Sequence, residues 1–214
     1  MIHAVCGNGM SRCVLGTQRD NPQAAPPCAG CVRQSEAVFA GADVQWLHYQ
    51  PDAELEMALA ELNTAQMEGF SYRGVPLGAL TVPSLRWILR RYHLIDNEAT
   101  RFLFQQYILS AWSIICAFGN LLESVQAQAL VIFNGMAYPE AAARWAAQQR
   151  GIPVVTHEVA HAPFTAFFTH GEATAYPIEV PEEFELSTEQ NAMLDAYLEQ
   201  RFQGNFSMAG IRFW

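Results

Sequence analysis

The side chains best suited to chemistry follow two apolar runs in the second half of the chain. Asn134-Gly135 ends the first run, and His157-Glu158 ends the second. A carboxylate or an imidazole can take a proton from a reacting hydroxyl group, and both side chains stand next to each other here. An asparagine amide can donate and accept hydrogen bonds with a polar ligand. We therefore expect the functional site to lie around these two pairs.

The elements that would position the two pairs form a strand–helix–strand unit. Ala129–Phe133 is a short apolar run that predicts a buried strand, and Ile152–Thr156 predicts a second one. Pro139 suits the first turn of a helix between them, and Gly151 suits its end. Strands joined by such a crossover helix are almost always parallel, and ligands bind beyond their carboxyl ends. Both pairs fall at those ends.

The segment His157-Glu158-Val159-Ala160-His161 also matches the His-Glu-x-x-His signature of zinc metallopeptidases. In that site two histidines share one face of a helix, and the glutamate activates a zinc-bound water. Glu179 or Glu182 could supply a third ligand. The motif nevertheless continues directly from a predicted strand, and Pro163 would break a helix that ran past it. The metallopeptidase stays an alternative, and we expect residues 157 and 158 to finish a strand.

Four of the five cysteines lie within the first 31 residues and indicate a metal site. Cys28-Ala29-Gly30-Cys31 has the spacing of a zinc knuckle, and Cys6 and Cys13 could complete a tetrahedral set. Cys6 and Cys13 are farther apart than a usual ligand pair, so free thiols and disulfides remain alternatives. Cys116 lies in an apolar stretch, where we expect a buried small side chain.

Composition limits the class of protein. The chain has 214 residues, enough for one sizeable core, and 51% of them are hydrophobic while 15% are charged. The net charge of −9 argues against a nucleic-acid partner, because such partners require basic surfaces. The N-terminus shows no basic region followed by an apolar core, so no secretory signal is predicted.

Residues 102–122 carry no charged side chain and are about as long as the ~20 residues that span a bilayer. Gln105, Gln106 and Asn120 lie within this stretch, and polar groups are costly in lipid. We therefore predict a buried core helix and no transmembrane segment, and we leave peripheral membrane contact open.

The rest of the chain reads as alternating elements and loops. We predict strands at Ile2–Val5 and Asp43–Tyr49 and helices at 51–69, 83–94, 97–124 and 187–204. Asp96 is the expected N-cap of the long helix, and the last helix has a capping box from Ser187 to Gln190. Residues 14–31, the short extended piece 72–80 and the aromatic segment 164–171 are expected to lack helix, and 177–186 to form an acidic linker. Gly7-Asn8-Gly9 is interpreted as a turn rather than as a phosphate-binding loop.

A family resemblance joins several of these features. The run Ile132-Phe133-Asn134-Gly135, a helix, and then a Gly-Ile-Pro strand ending at Glu158 resemble the N-terminal domain of bacterial surface-polysaccharide, capsule-type glycosyltransferases. The resemblance extends to the phenylalanine-rich segment with His170 and to the helix that ends at Gly204. The early cysteines are similar to those of some members.

The resemblance covers residues 129–214 well and 1–50 loosely, and it implies an α/β fold of GT-B type. We expect a Rossmann-like parallel sheet with helices on both faces, incomplete at its N-terminal edge because no strand and helix precede Ile2. One domain would comprise a cysteine-containing part (1–35), a main α/β body (36–176), and a linker and helix leading to a missing second domain (177–214).

The resemblance also implies a function. The chain would be the acceptor-side domain of a cytoplasmic glycosyltransferase, acting on a carbohydrate acceptor at or near the inner membrane face, with the nucleotide-sugar donor on the missing domain. By itself it would be inactive. The expected catalytic residues are Glu158 and His157, the substrate-binding residues Asn134, Gly135, His161 and His170, and the ligands of a structural zinc Cys6, Cys13, Cys28 and Cys31.

Two less specific interpretations remain beside this one. Glu158 could serve the fold alone, by accepting hydrogen bonds from backbone amides of a neighbouring helix. The whole chain could likewise be a non-catalytic Rossmann-type binding module with a cysteine metal site.

Overall fold

A computed structural model describes residues 1–18, 20–160, 165–175, 178–204, 207–208 and 211–212. The described residues form a mixed α/β fold with seven α-helices. The helices are α1 Cys28–Val38, α2 Ala53–Leu59, α3 Thr64–Glu68, α4 Leu77–Leu89, α5 Glu98–Ser124, α6 Tyr138–Gln148 and α7 Thr188–Phe202, with a 3₁₀ turn at Ala173–Ala175. The strands are β1 Ile2–Cys6, β2 Asp43–Leu47, β3 Leu130–Phe133, β4 Val154–Val159, β5 Ala166–Thr169, β6 Ser207–Met208 and β7 Ile211–Arg212.

The strand–helix–strand unit predicted from the sequence is confirmed as β3–α6–β4. The two strands are parallel, and Leu130 is paired with Val154. Pro139 lies in the first turn of α6, where its missing N–H leaves no hydrogen bond unmade. Gly151 adopts a φ of 66° just after the helix, a conformation that glycine takes without a steric penalty.

The described strands do not form the single Rossmann-like parallel sheet that we predicted. β1 pairs with β2 in a two-stranded parallel sheet, and β3, β4 and β5 form a separate mixed sheet; β6 and β7 form a short hairpin. A continuous parallel sheet is not present among the described residues. The aromatic segment predicted as a loop contains β5, which runs antiparallel to β4 with Phe167 opposite Glu158. Its side chains alternate between exposed and half-buried, as a strand with one solvated face requires.

The hydrophobic core is built around α5. Leu103, Phe104, Tyr107 and Ile108 have no exposed surface. The Tyr107 ring lies 4.7 Å from the ring of Tyr138 at the start of α6. By length and composition α5 is the one described helix that could cross a membrane, and 67% of its most apolar window is buried in the fold. α5 is therefore the buried core helix that we predicted for this stretch from its polar residues.

Three of the predicted helices differ from the structure at their boundaries. The single helix expected over 51–69 is two helices, because Asn63 and Gln66 form a reciprocal capping box that starts α3. The long helix is capped by Asn97, whose side chain accepts the Thr100 N–H, and not by Asp96. α4 begins at Leu77, in the stretch predicted to be extended, and contains Pro83.

Asp96 instead joins α3 to α5. Its carboxylate accepts a hydrogen bond from Arg101 Nε at 2.7 Å and from the Thr64 N–H at 3.1 Å. The Arg101 guanidinium, followed by the Thr64 N–H, holds the pKa of Asp96 well below its ordinary value. Because a depressed folded-state pKa favours the ionised form, this contribution to stability is present above the unfolded pKa of about 4 and is lost below it.

We expect Asp96→Asn to lower the urea midpoint of unfolding at pH 7 more than at pH 3. The wild-type carboxylate begins to lose its advantage once the pH falls below the unfolded pKa of about 4. Asp195→Asn, an exposed position on α7, is the control and should change little at either pH. An equal loss at pH 7 and pH 3 would show that charge at Asp96 is not what stabilises this contact.

Candidate functional site

Two of the predicted site residues meet at the carboxyl ends of β3 and β4. The side-chain amide of Asn134 donates a hydrogen bond from Nδ2 to Glu158 Oε2 at 2.8 Å. Both residues are half-buried, so the pair is in contact with the protein on one side and accessible on the other. An amide and a carboxylate are thus held together at the edge where ligands of parallel strands bind.

The backbone after β3 fixes the direction of the Asn134 side chain. Asn134 and Gly135 have φ angles of 62° and 82°, a consecutive left-handed turn that asparagine and glycine tolerate best. The other end of the amide, Oδ1, accepts the Met136 N–H at 2.9 Å, just before α6. A Cβ at Gly135 would lie 2.8 Å from Thr156 Cγ2, so the turn requires glycine for space as well as for conformation. Asn134 is therefore held at both ends of its side chain.

Glu158 is held at both of its carboxylate oxygens. Oε1 accepts the Val159 N–H at 2.8 Å, and Oε2 accepts Asn134 Nδ2. A carboxylate has about four lone-pair sites, so each oxygen keeps room for a further donor such as a ligand hydroxyl. The backbone N–H of Met136, just before α6, donates to Asn134 Oδ1 and not to Glu158. The hydrogen bonds of Glu158 therefore orient the carboxylate without using its full accepting capacity.

The residues that follow β5, from Gly171 to Ala173, pack against the strand ends that carry Asn134 and Glu158. Thr156 has no exposed surface, and its hydroxyl donates to the carbonyl of Gly171 at 2.7 Å. The Ala173 N–H donates to the carbonyl of Asn134 at 3.1 Å. Sequence reasoning did not identify Thr156 as a support of the site. Its position two residues before Glu158, on the same face of a strand, is the signal that could have found it.

His157 lies on the opposite face of the sheet from Glu158. Its ring is placed between two phenylalanines, 5.4 Å from the ring of Phe133 and 5.7 Å from that of Phe168. Phe133 and Phe168 are the residues paired with His157 on the neighbouring strands, so all three share one face. Because successive residues of a strand point to opposite faces, the two predicted catalytic residues cannot reach one ligand atom from the same side.

His170, the other predicted histidine within the described residues, does not join the pair. His170 Nδ1 lies 3.2 Å from the carbonyl oxygen of Val154, at the beginning of β4. Glu158 is four residues further along that strand, about 13 Å away at ~3.3 Å per residue. His161 lies outside the described residues. The site that the structure assembles is thus Asn134 with Glu158, next to Gly135.

The His-Glu-x-x-His segment begins as a strand. His157 and Glu158 both lie within β4, as we predicted, and the strand continues one residue further, to Val159. The metallopeptidase chemistry requires a helix that carries both histidines on one face. The strand conformation at residues 157–159 does not provide that helix.

The four N-terminal cysteines are free thiols in the structure, as is Cys116. Cys6 ends β1, Cys13 lies in the following loop, and Cys28 and Cys31 begin α1, a helix that sequence reasoning missed. Cys116 is exposed on α5 rather than buried as predicted. Among the described residues, no three Cys, His, Asp or Glu side chains are arranged around a common metal position.

Comparisons of the chain with protein-family models, with curated proteins and with solved structures found no match.

Proposed function

We propose that the chain is the acceptor-side domain of a glycosyltransferase that builds a cell-surface polysaccharide, as its family resemblance implies. The observation that carries the proposal is the 2.8 Å hydrogen bond between Asn134 and Glu158 at the carboxyl ends of two neighbouring parallel strands. In this proposal the nucleotide-sugar is bound by a second, facing domain, in the cytoplasm at or near the inner face of the membrane.

Glu158 is the proposed general base. In a transfer with inversion, the carboxylate takes the proton from the acceptor hydroxyl while the hydroxyl oxygen attacks the anomeric carbon of the donor sugar. The bond from that carbon to the nucleoside diphosphate breaks as the new glycosidic bond forms. Asn134 keeps the carboxylate in place, and the second N–H of its amide can donate to a neighbouring sugar hydroxyl. Gly135 is buried and its N–H donates to the carbonyl of Phe133, so its part is to shape the turn. Positioning of this kind, with proton transfer by a suitably placed carboxylate, contributes a large part of such a rate enhancement.

The proposal also treats the two parallel strand pairs as parts of one Rossmann-like arrangement. The loop after β1 and the beginning of α6, which follows β3, are in contact. The hydroxyl of the fully buried Tyr138 lies 3.2 Å from Met10 Sδ and donates to the carbonyl of Arg12. The loop that follows β1 is therefore close to the helix that leaves the carboxyl end of β3. This proximity is expected where neighbouring parallel strands bring their following loops to one edge.

Acceptor binding to the chain tests the proposal directly. We expect saccharide fragments of bacterial surface polysaccharides to shift the amide NMR signals of Asn134, Gly135 and Glu158. Asn134→Ala should weaken that binding by about ten-fold, the loss of roughly one hydrogen bond of ~1.4 kcal/mol. Asn191→Ala, at an exposed position on α7, is the matched control.

Donor binding separates this proposal from a complete enzyme. Calorimetry with common nucleotide-sugars should show weak binding or none, since the proposed donor site lies in the facing domain. Micromolar donor binding, or hydrolysis of the donor by this chain, would place the donor site here and overturn the acceptor-side assignment. Saccharide binding that leaves residues 134, 135 and 158 unshifted would overturn the assignment of the site.

A further inference from the structure

Residues 20–42, which contain α1 and lead to β2, have no buried side chain. α1 is an 11-residue helix with no buried side chain, although most helices of soluble proteins gain their stability by burying one face. In β1 only Val5 is buried. A segment of this kind needs another source of order. Small or poorly packed regions commonly obtain it from disulfides or a bound metal.

Four of the five cysteines lie in this segment or shortly before it. Cys6 stands at the end of β1 and Cys13 in the loop, while Cys28 and Cys31 occupy the first turn of α1, three residues apart on one helix face. The remaining three thiols are near enough to Cys13 to act on it electrostatically. Cysteines that are up to 25 positions apart in the sequence are therefore near Cys13 in space or near its neighbours.

The loop between Cys13 and Cys28 folds back so that its later residues contact Arg12, just before its start. The Arg12 guanidinium donates hydrogen bonds to the carbonyl groups of Ala24 and Gln23. A Cβ at Gly16 would lie 2.8 Å from Cys13 Sγ and 2.7 Å from Pro26 Cβ, so the turn that follows Cys13 packs directly against the residues that lead into α1. This packing holds the loop cysteine beside the helix cysteines independently of any charge effect.

Two of the sulfurs already accept backbone hydrogen bonds of the same kind. The Gly9 N–H donates to Cys6 Sγ at 3.2 Å, and the Gly16 N–H donates to Cys13 Sγ at 3.0 Å. In each case a glycine three residues after the cysteine makes the bond. Such N–H groups orient a sulfur for a metal, as outer-sphere hydrogen bonds do in metal sites. Cys28 and Cys31 lie in the first turn of α1, where residues three apart are neighbours on the helix surface.

We propose that Cys6, Cys13, Cys28 and Cys31 bind one Zn²⁺ ion in a tetrahedral, structural site that fastens α1 to the end of β1. Four thiolates at about 2.3 Å from the ion form a closed site without an open position for a substrate. Because the sulfurs do not surround a common point in the structure, binding requires the cysteine side chains to turn toward each other. This inference is independent of the proposed glycosyltransferase function.

Thiol counting on the wild-type protein tests the site without any substitution. The reduced, metal-free chain should show five thiols that react with a chromogenic disulfide reagent. One equivalent of Zn²⁺ should leave only Cys116 reactive, and removal of the ion with a chelator should restore all five. Elemental analysis should then find one zinc per chain, and Co²⁺ should give the absorption bands of a tetrahedral thiolate site.

Serine variants identify the ligands. Each of Cys6→Ser, Cys13→Ser, Cys28→Ser and Cys31→Ser should weaken Zn²⁺ binding by about ten-fold or more, whereas Cys116→Ser, the matched control, should leave it unchanged. Five reactive thiols with and without Zn²⁺, less than about one tenth of an equivalent of bound zinc, or a disulfide among the four cysteines would overturn the proposal. An iron–sulfur chromophore on the same ligands would overturn the assignment to zinc.

Discussion

Glu158→Gln is expected to reduce turnover by about 10²-fold or more when it is assayed together with the donor-binding domain, if Glu158 is the general base. Glutamine has the size of glutamate and keeps one oxygen that can accept the Asn134 amide proton at the position now occupied by Oε2. It cannot take a proton from an acceptor hydroxyl. The substitution therefore removes the proposed chemistry while changing the local hydrogen bonding as little as a single substitution can.

Measuring both the turnover and the free energy of unfolding of Glu158→Gln distinguishes a catalytic role of Glu158 from a purely structural one. If Glu158 only supports the backbone at Val159 and the Asn134 side chain, turnover should remain near the wild-type value and the free energy of unfolding should fall by about 1–2 kcal/mol. His157→Asn is an informative companion, since His157 lies on the other face between Phe133 and Phe168. A 10²-fold loss in His157→Asn with no loss in Glu158→Gln would overturn the assignment of the base.

Gly78→Ala is expected to lower the free energy of unfolding by about 2–3 kcal/mol, as overpacking of a filled site does. A Cβ at Gly78 would lie 2.0 Å from the carbonyl oxygen of Met67 and 2.5 Å from that of Glu68. Both atoms belong to the backbone of α3, so α3 and α4 must separate to admit the methyl group. The higher helix propensity of alanine, worth about 1 kcal/mol, offsets only part of this cost.

Urea unfolding monitored by circular dichroism measures this effect, and Gly69→Ala provides its control. Gly69 ends α3 at a φ of −91°, and no neighbouring atom lies within 4 Å of an added Cβ. This variant should unfold close to the wild-type midpoint. If Gly78→Ala were as stable as Gly69→Ala, the contact between the first turn of α4 and the end of α3 would be looser than the structure indicates.

The β3–α6–β4 unit could be predicted from the sequence because its signals are local. Apolar runs, Pro139 and Gly151 each determine the conformation of their own few residues, and the structure contains both strands and the helix. The sequence predicted that Asn134 and Glu158 would lie near each other, because parallel strands bring their carboxyl ends together. It did not predict that the two side chains would form a hydrogen bond. The hydrogen bond itself depends on the left-handed turn at Asn134, which an Asn-Gly pair favours, and on the pairing register of β3 and β4, which the residue types do not specify.

Other features depend on contacts between distant residues and could not be predicted. β5 is a strand because it pairs with β4, although its phenylalanines alone suggested a loop. The placement of His157 away from Glu158 follows once both residues are known to lie inside a strand; we had predicted that the strand contained them but had not considered its two faces. α1 was missed because its sequence has no apolar face, which agrees with its lack of buried residues.

The helix α7 bears on how the sequences of relatives are interpreted. It has a complete capping box of its own at Ser187 and Gln190, and none of its side chains is buried. Substitutions on such a surface usually change stability by less than about 0.5 kcal/mol, so folding imposes almost no selection on which side chains α7 carries. Drift should therefore vary this helix faster than α5. Positions of α7 that stay invariant across distant species would thus be preserved by a task other than folding.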